Sequence, residues 1–392
     1  MSGPLDHVSK RAEMLRQGLG PFWDFLMDPE LGKLRQDADV LDLSLGNPME
    51  PALPEVVAAL QDHTTPRTPD WFGYMSGHAD SQAAVAASLK DWRGLDFSGP
   101  DILMTNGAFG AIAASLYGLV DAGEEVVYFS PHWFNYEAMV LNAGAVPVRV
   151  DLTPDTFDLD AEALAAAMTP RTRMVVVNSP HNPTGRVFPE DQLRAVVSVL
   201  EDASLVQGRP IWLLCDEPYS RLVFDDRPFP SASNLYAHSL IAYSYGKVIM
   251  IPGERLGWLA LNPAMPEKAA VREALMLGIV NGGFLFPHAV GQRAMGTLEG
   301  MSLDIPALQA KRDRLAQALD GNAYRMLVPE GTFYALIRLP TDDDQTFCRD
   351  LARKGLILLP GSICAAHGHA RISLLATAEQ LDHAAQLMNE AV

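Results

Sequence analysis

The sequence predicts an α/β protein: a large, doubly wound domain built on a mostly parallel sheet, followed by a smaller α+β domain. Three observations carry this reading. From residue 81 the hydrophobic period switches repeatedly between helix and strand. The strand segments are unbroken apolar runs, as expected of strands covered by helices on both faces. Beyond residue 300 the alternation gives way to short strands grouped between single helices, a pattern that suits antiparallel pairing.

Residues 1–40 are polar and mildly helical, and LDLSLGNP (41–48) reads as a short strand entering a Gly-Asn-Pro turn. An Ala-rich helix (81–92), strand 101–105, an apolar helix (108–120) and strand 125–129 follow. Strands are then expected at 146–150, 173–177, 211–215, 240–245 and 257–261, with helices at 160–168 and 190–202 and one helical segment over 266–300. The last unit reads as helix 304–319, strands near 323–328 and 333–338, helix 343–354, strands 355–359 and 370–376, and helix 378–390. No repeat, low-complexity tract or Gly/Ser linker separates the units, so close packing is expected.

At 392 residues the chain is long enough for a large core, and its 48% hydrophobic and 20% charged residues are ordinary for a globular protein. The formal net charge of −18 repels phosphate backbones and anionic lipid, so neither nucleic acid nor membrane is an expected partner. Any bound anion must meet specific cations. The three cysteines, Cys215, Cys348 and Cys364, form no CxxC and have no histidine at ligand spacing, which points away from disulfides and from a metal site. The N-terminus lacks an apolar signal region, and a cytoplasmic protein is expected.

Ligands of open α/β sheets gather at the carboxyl ends of the strands. The residues following the predicted strands are polar: Asn106-Gly107-Ala108-Phe109, Asn178 through Gly185, Asp216-Glu217-Pro218-Tyr219, and Gly246-Lys247. Lys247 follows an apolar strand, where an amine near apolar walls favours Schiff-base chemistry, although a lysine snorkelling from a strand end also fits. Asp216 ends an apolar run and suits either a buried cationic partner or a turn cap. Tyr219 points to the same ligand or simply packs. Small residues at Gly107 and Ala108 would let backbone N–H groups approach a phosphate, to which Ser244 and Arg255 could add a hydroxyl and a cation, although both also fit ordinary surface or strand residues.

Together, Asn182-Pro183-Thr184-Gly185, Asp216-x-x-Tyr219, Ser244-x-x-Lys247 and Arg255-x-Gly257 occur in an order and spacing that resembles class I/II aminotransferases. The resemblance to these fold-type I, pyridoxal 5'-phosphate (PLP) enzymes runs from LGNP (45–48) to ARISLLAT (370–377). It implies a seven-stranded, mostly parallel sheet, and domains at 46–290 for the cofactor and 291–392 for the small unit, with 1–45 contributing to the latter. It implies that Lys247 holds PLP as a Schiff base and moves the proton, through a pyridoxamine intermediate, in transfer from an L-amino acid to a 2-oxo acid. Asp216 would keep the pyridine nitrogen protonated. Asn182 and Tyr219 would bond the phenolic oxygen, and Gly107, Ala108, Phe109, Ser244 and Arg255 would cradle the phosphate. Trp133 would stack on the ring. Arg371, with Asn182 and Gly46, would hold the substrate carboxylate. Tyr74 would reach the phosphate across the interface of a homodimer.

Two stretches depart from the family pattern: a short spacer after Tyr74 leads into Ser81-Gln82-Ala83, and Cys364 stands where an aromatic is common. No second arginine marks a side-chain carboxylate clamp, and Trp71, Phe72, Phe134, Phe284 and Phe286 lean toward aromatic or apolar substrates. The same cofactor residues also serve elimination, replacement, cyclisation, decarboxylation or oxidation. A non-catalytic sensor joined to a DNA-binding module is disfavoured by the short stretch before the first strand and by the net negative charge.

Overall fold

The computed structural model describes residues 8–391; the part of the N-terminal reading that falls on residues 1–7 lies outside them. The strands are β1 (Leu41–Asp42), β2 (Ile102–Thr105), β3 (Glu125–Ser130), β4 (Val146–Asp151), β5 (Thr172–Asn178), β6 (Trp212–Asp216), β7 (Ser239–Ser244) and β8 (Gly257–Leu261). Five more follow: β9 (Arg325–Leu327), β10 (Tyr334–Arg338), β11 (Leu356–Ile357), β12 (Leu359–Pro360) and β13 (His369–Ser373).

Seven strands form one sheet in the order β2-β8-β7-β6-β5-β3-β4. All its pairings are parallel except those of β8, which runs antiparallel to both β2 and β7. Alternate residues point to opposite faces. Val175, Val177, Leu213, Cys215, Ile241 and Tyr243 enter one core, while Met174, Val176, Leu214, Leu240 and Ala242 enter the other. Both faces are therefore buried, which explains the unbroken apolar runs. The second core is closed by helix Gly107–Leu119 packed against helix Lys268–Asn281.

A four-stranded antiparallel sheet, β12-β13-β10-β9, organises the C-terminal unit. The chain's beginning joins it there: β1 pairs in parallel with β11 through Leu41↔Leu356 and Asp42↔Ile357. Helices Lys10–Gly18, Gly20–Leu26 and Pro29–Leu34 precede β1. Phe25 and Leu31 from these helices pack with Ile357, Leu359 and Ile363 in a third core.

Three expectations are corrected. The first strand covers two residues rather than LDLSLGNP, because from Ser44 onward the backbone turns to serve side chains of other elements. The helical segment over 266–300 is two helices, Lys268–Asn281 and Ala289–Leu298, broken at Gly282-Gly283, where Gly283 has φ +83. Helix 190–202 extends to Gln207 and ends at Gly208 in the left-handed conformation.

His132 and His181 are buried, and desolvation pulls both from an ordinary value of 6.5 down to about 3, with Arg149 reinforcing the first and His132 the second. Their folded-state values are depressed, so the unfolded chain binds more protons between those limits. The stability that these two groups contribute is fully present above pH 6.5 and is lost as pH falls toward 3. Chemical denaturation at stepped pH should show a loss of about 1.4 kcal/mol per pH unit for each histidine in that window, and His132→Gln should flatten the slope by about half of it.

Candidate active site

Lys247 lies in the single helical turn Tyr245–Val248 directly after β7 and lines a cavity of about 270 Å³ at the carboxyl ends of the parallel strands. Its surroundings are protein on most sides. Desolvation, with further push from Arg371 and Arg255 and an opposing pull from Asp216, lowers its amine to about 8. A substantial fraction is therefore neutral, and nucleophilic, near neutral pH.

Asp216, the last residue of β6, faces the same cavity and is buried. Burial pushes its carboxyl up to about 7, a Tyr136 hydrogen bond works against this, and the neighbouring Glu217 adds to it. The Tyr136 hydroxyl donates to Oδ2, and the Asn178 side-chain amide donates to the same oxygen at 3.3 Å and to the Asp216 carbonyl at 2.8 Å. Oδ1 has no partner. A buried carboxylate oxygen left bare in this way calls for a cationic or protonated donor from a ligand.

Where β7, β8 and β2 meet, Ser244 and Thr105 both register with Gly257. Gly107 opens helix Gly107–Leu119 with φ +68, and a Cβ there would stand 3.3 Å from Ser244 Oγ and 3.4 Å from an Arg255 guanidinium nitrogen. The absent side chain thus leaves a hollow walled by a hydroxyl, a guanidinium and the free N–H groups of a helix start. That is the chemistry of an anion cradle. Ala108 and Phe109 line the same wall, and the Phe109 ring meets Trp133 edge-on at 5.9 Å.

Arg371, on β13, is 1% exposed. Its guanidinium donates to Asn182 Oδ1 at 3.0 Å and to the Ser44 carbonyl at 2.9 Å, lies 4.0 Å over the Tyr334 ring, and leaves Nε without a partner. Asn182 is fixed in turn by its backbone N–H, which donates to Asn178 Oδ1 at 2.8 Å. Gly46 packs against Tyr334, whose hydroxyl would lie 2.3 Å from a Cβ at that position.

The cavity brings together Lys247, Asp216, Tyr219, Asn182, Ser244, Arg255, Arg371, Trp133, Ala108 and Phe109 from the sequence expectation, with Gly107 behind Ser244. Gly46 reaches it through Tyr334 rather than lining it, and Tyr74 is not a lining residue and stands 95% exposed. Tyr136, Asn178, Tyr334 and Phe22 were not singled out for roles by the sequence. Asn178 alone had a signal, its place directly after the expected strand 173–177, and it ends β5. Replacing Arg371 by alanine should raise KM for amino acids about 100-fold while shifting cofactor affinity less than about threefold, and lysine should restore little, since it lacks the planar fork; steady-state kinetics and cofactor titration test both.

A family profile described as "Aminotransferase class I and II" matches residues 38–387, and the chain belongs to that family. It is 33% identical over 344 residues to a probable N-succinyldiaminopimelate aminotransferase of Mycobacterium tuberculosis, spanning 85% of this chain and 84% of that one. It is 28% identical to a probable aspartate/prephenate aminotransferase of Thermus aquaticus over 91% and 93% of the two chains. An aminotransferase structure from Eubacterium rectale superposes with a TM-score of 0.86 at 28% identity, covering 98% of this chain and 96% of that one. The protein is a PLP-dependent aminotransferase of fold type I.

Proposed function

We propose that the cavity around Lys247 binds pyridoxal 5'-phosphate and carries amino transfer from an L-amino acid to a 2-oxo acid. The observation that carries this reading is the unpartnered, buried Oδ1 of Asp216 in the same cavity as the Lys247 amine and the Gly107–Ser244–Arg255 hollow. The donor set fits the group: Asp216 for a pyridinium, Asn182 and Tyr219 for the phenolic oxygen, Trp133 for a ring face, and the hollow for the phosphate. When bound, the cofactor supplies an aldehyde for the lysine and an electron sink for the carbanion at the substrate's α-carbon.

The chain's own residues do the rest. Lys247, held near 8, gives up its ammonium proton at modest cost, and its free amine would take and return the α-proton. Arg371, immobilised by Asn182, Ser44 and Tyr334, orients the substrate carboxylate. Asp216 is fixed by Tyr136 and Asn178 so that one oxygen alone is offered to the ligand.

The reading includes a cytoplasmic homodimer whose partner supplies Tyr74. Supporting it, Tyr74, Phe72 and the outward Leu277 and Val280 of helix Lys268–Asn281 are exposed apolar residues. Among the described residues no helix is long and apolar enough to cross a membrane. The deciding experiment is a half-reaction. Amino acids added to PLP-loaded protein should change its visible spectrum and release a 2-oxo acid, and a 2-oxo acid should reverse the change. Ammonia release with no dependence on a 2-oxo acid acceptor would set the reading aside.

A further inference from the structure

Among the described residues lining the cavity, the charged groups are Lys247, Arg255, Arg371 and Asp216. The proposed function, on which this inference rests, engages all four: amine, phosphate, α-carboxylate and ring nitrogen. Among the described lining residues of this chain no cation is left for a side-chain carboxylate, and no anion for a side-chain ammonium. Near Arg371 the remaining wall is apolar. Leu45 follows the Ser44 carbonyl that Arg371 grips, and Phe134 lies 5.9 Å from its guanidinium. Phe22 stacks on Phe134 with ring centroids 3.8 Å apart and planes 14° from parallel.

Phe22 comes from helix Gly20–Leu26, far from the cofactor residues in sequence. The same helix sends Phe25 into the core formed with Ile357, Leu359 and Ile363, and Asp28, at the start of the next helix, pairs with Arg349 at 3.0 Å. The ring at the cavity mouth is thus held by a helix anchored on the C-terminal unit.

We infer that Phe22 and Phe134 form an aromatic clamp in which the open face of the stacked pair selects amino acids with an aromatic or large apolar side chain. A charged side chain placed against that face and Leu45 would be desolvated with no counter-charge from this chain, whereas a ring gains stacking and apolar burial.

The test uses PLP-loaded enzyme and compares phenylalanine, aspartate and alanine as donors. Phenylalanine should exceed aspartate in kcat/KM by about 10-fold or more, and Phe22→Ala should lower the phenylalanine value about 10-fold while leaving alanine within about threefold. Phe22→Leu, which keeps apolar bulk but removes the ring face, serves if the alanine variant does not fold, and should lower the phenylalanine value while keeping alanine turnover. Calorimetry supplies a readout without turnover: 3-phenylpropionate should bind more tightly than succinate, and the Phe22 variants should weaken the first alone. Aspartate matching or exceeding phenylalanine, or equal losses for phenylalanine and alanine, would overturn the clamp. If no amino acid reacts, amino transfer fails as a reading, and the comparison of 3-phenylpropionate with succinate still decides the clamp.

Discussion

Replacing Lys247 with alanine is expected to lower amino transfer by about 10⁴-fold or more and to abolish any protein–PLP adduct that borohydride can trap. Two functions are lost together, the amine that ties the cofactor and the positioned base, and proton transfer by a positioned group alone contributes about 10²–10⁴-fold. The fold should survive, because the amine has no hydrogen-bond partner among the described residues and only approaches the Phe333 ring at 5.6 Å. A trapped adduct in the variant would assign the Schiff base to another residue. In the wild-type chain, the amine's position near 8 sets the pH dependence of cofactor capture. Below that value the neutral fraction rises about tenfold per pH unit, so the capture rate should climb with pH and level off above about 8.

Asp216→Asn should cost about 10²–10⁴-fold in kcat and weaken PLP binding, because a neutral amide cannot balance a buried pyridinium. The same substitution should stabilise the cofactor-free protein. The Asp216 carboxyl is raised by burial from 3.8 to about 7, so the cofactor-free chain loses stability as pH rises through that window, at about 1.4 kcal/mol per pH unit. An amide has no charge to desolvate, and it still offers an oxygen to the Tyr136 hydroxyl. Thermal melts at pH 8 should therefore rank the cofactor-free variant above the wild type, with the order reversed once PLP is added. A variant less stable in both states would mean that Asp216 is a structural carboxylate. Removing a group strained for function commonly has this pair of effects.

Part of the Lys247–Asp216 side of the cavity was legible where a residue stands at or just after the end of an apolar strand, where period and position can both be read. Asp216, Ser244 and Lys247 are of this kind, and β6 and β7 lie within a residue or two of their expected bounds. What escaped is what tertiary packing brings in. Tyr136 reaches Asp216 from helix Asn135–Asn142, eighty residues earlier in the chain. Phe22 lies in a seven-residue helix whose sequence carries no motif, and Tyr334 acquires meaning only because β10 pairs with β13, where it registers with Ser373, two residues from Arg371 on the same face. The break in 266–300 was visible in principle as Gly282-Gly283, but the apolar residues on either side kept a helical period.

The one reversed strand has a consequence for folding. Because β8 runs against its neighbours, its first residue, not its last, lies at the ligand edge, with Arg255 just before it. At Gly257 any side chain would collide with the Tyr243 carbonyl at 2.3 Å and with Gly107 at 2.6 Å. A slip of β8 by one residue in either direction would drive Leu256 or Trp258 into that gap. Gly257, which leaves room for Gly107, is therefore also the pin that sets strand alignment, so a chain that pairs β8 out of step cannot bring Gly107, Ser244 and Arg255 together.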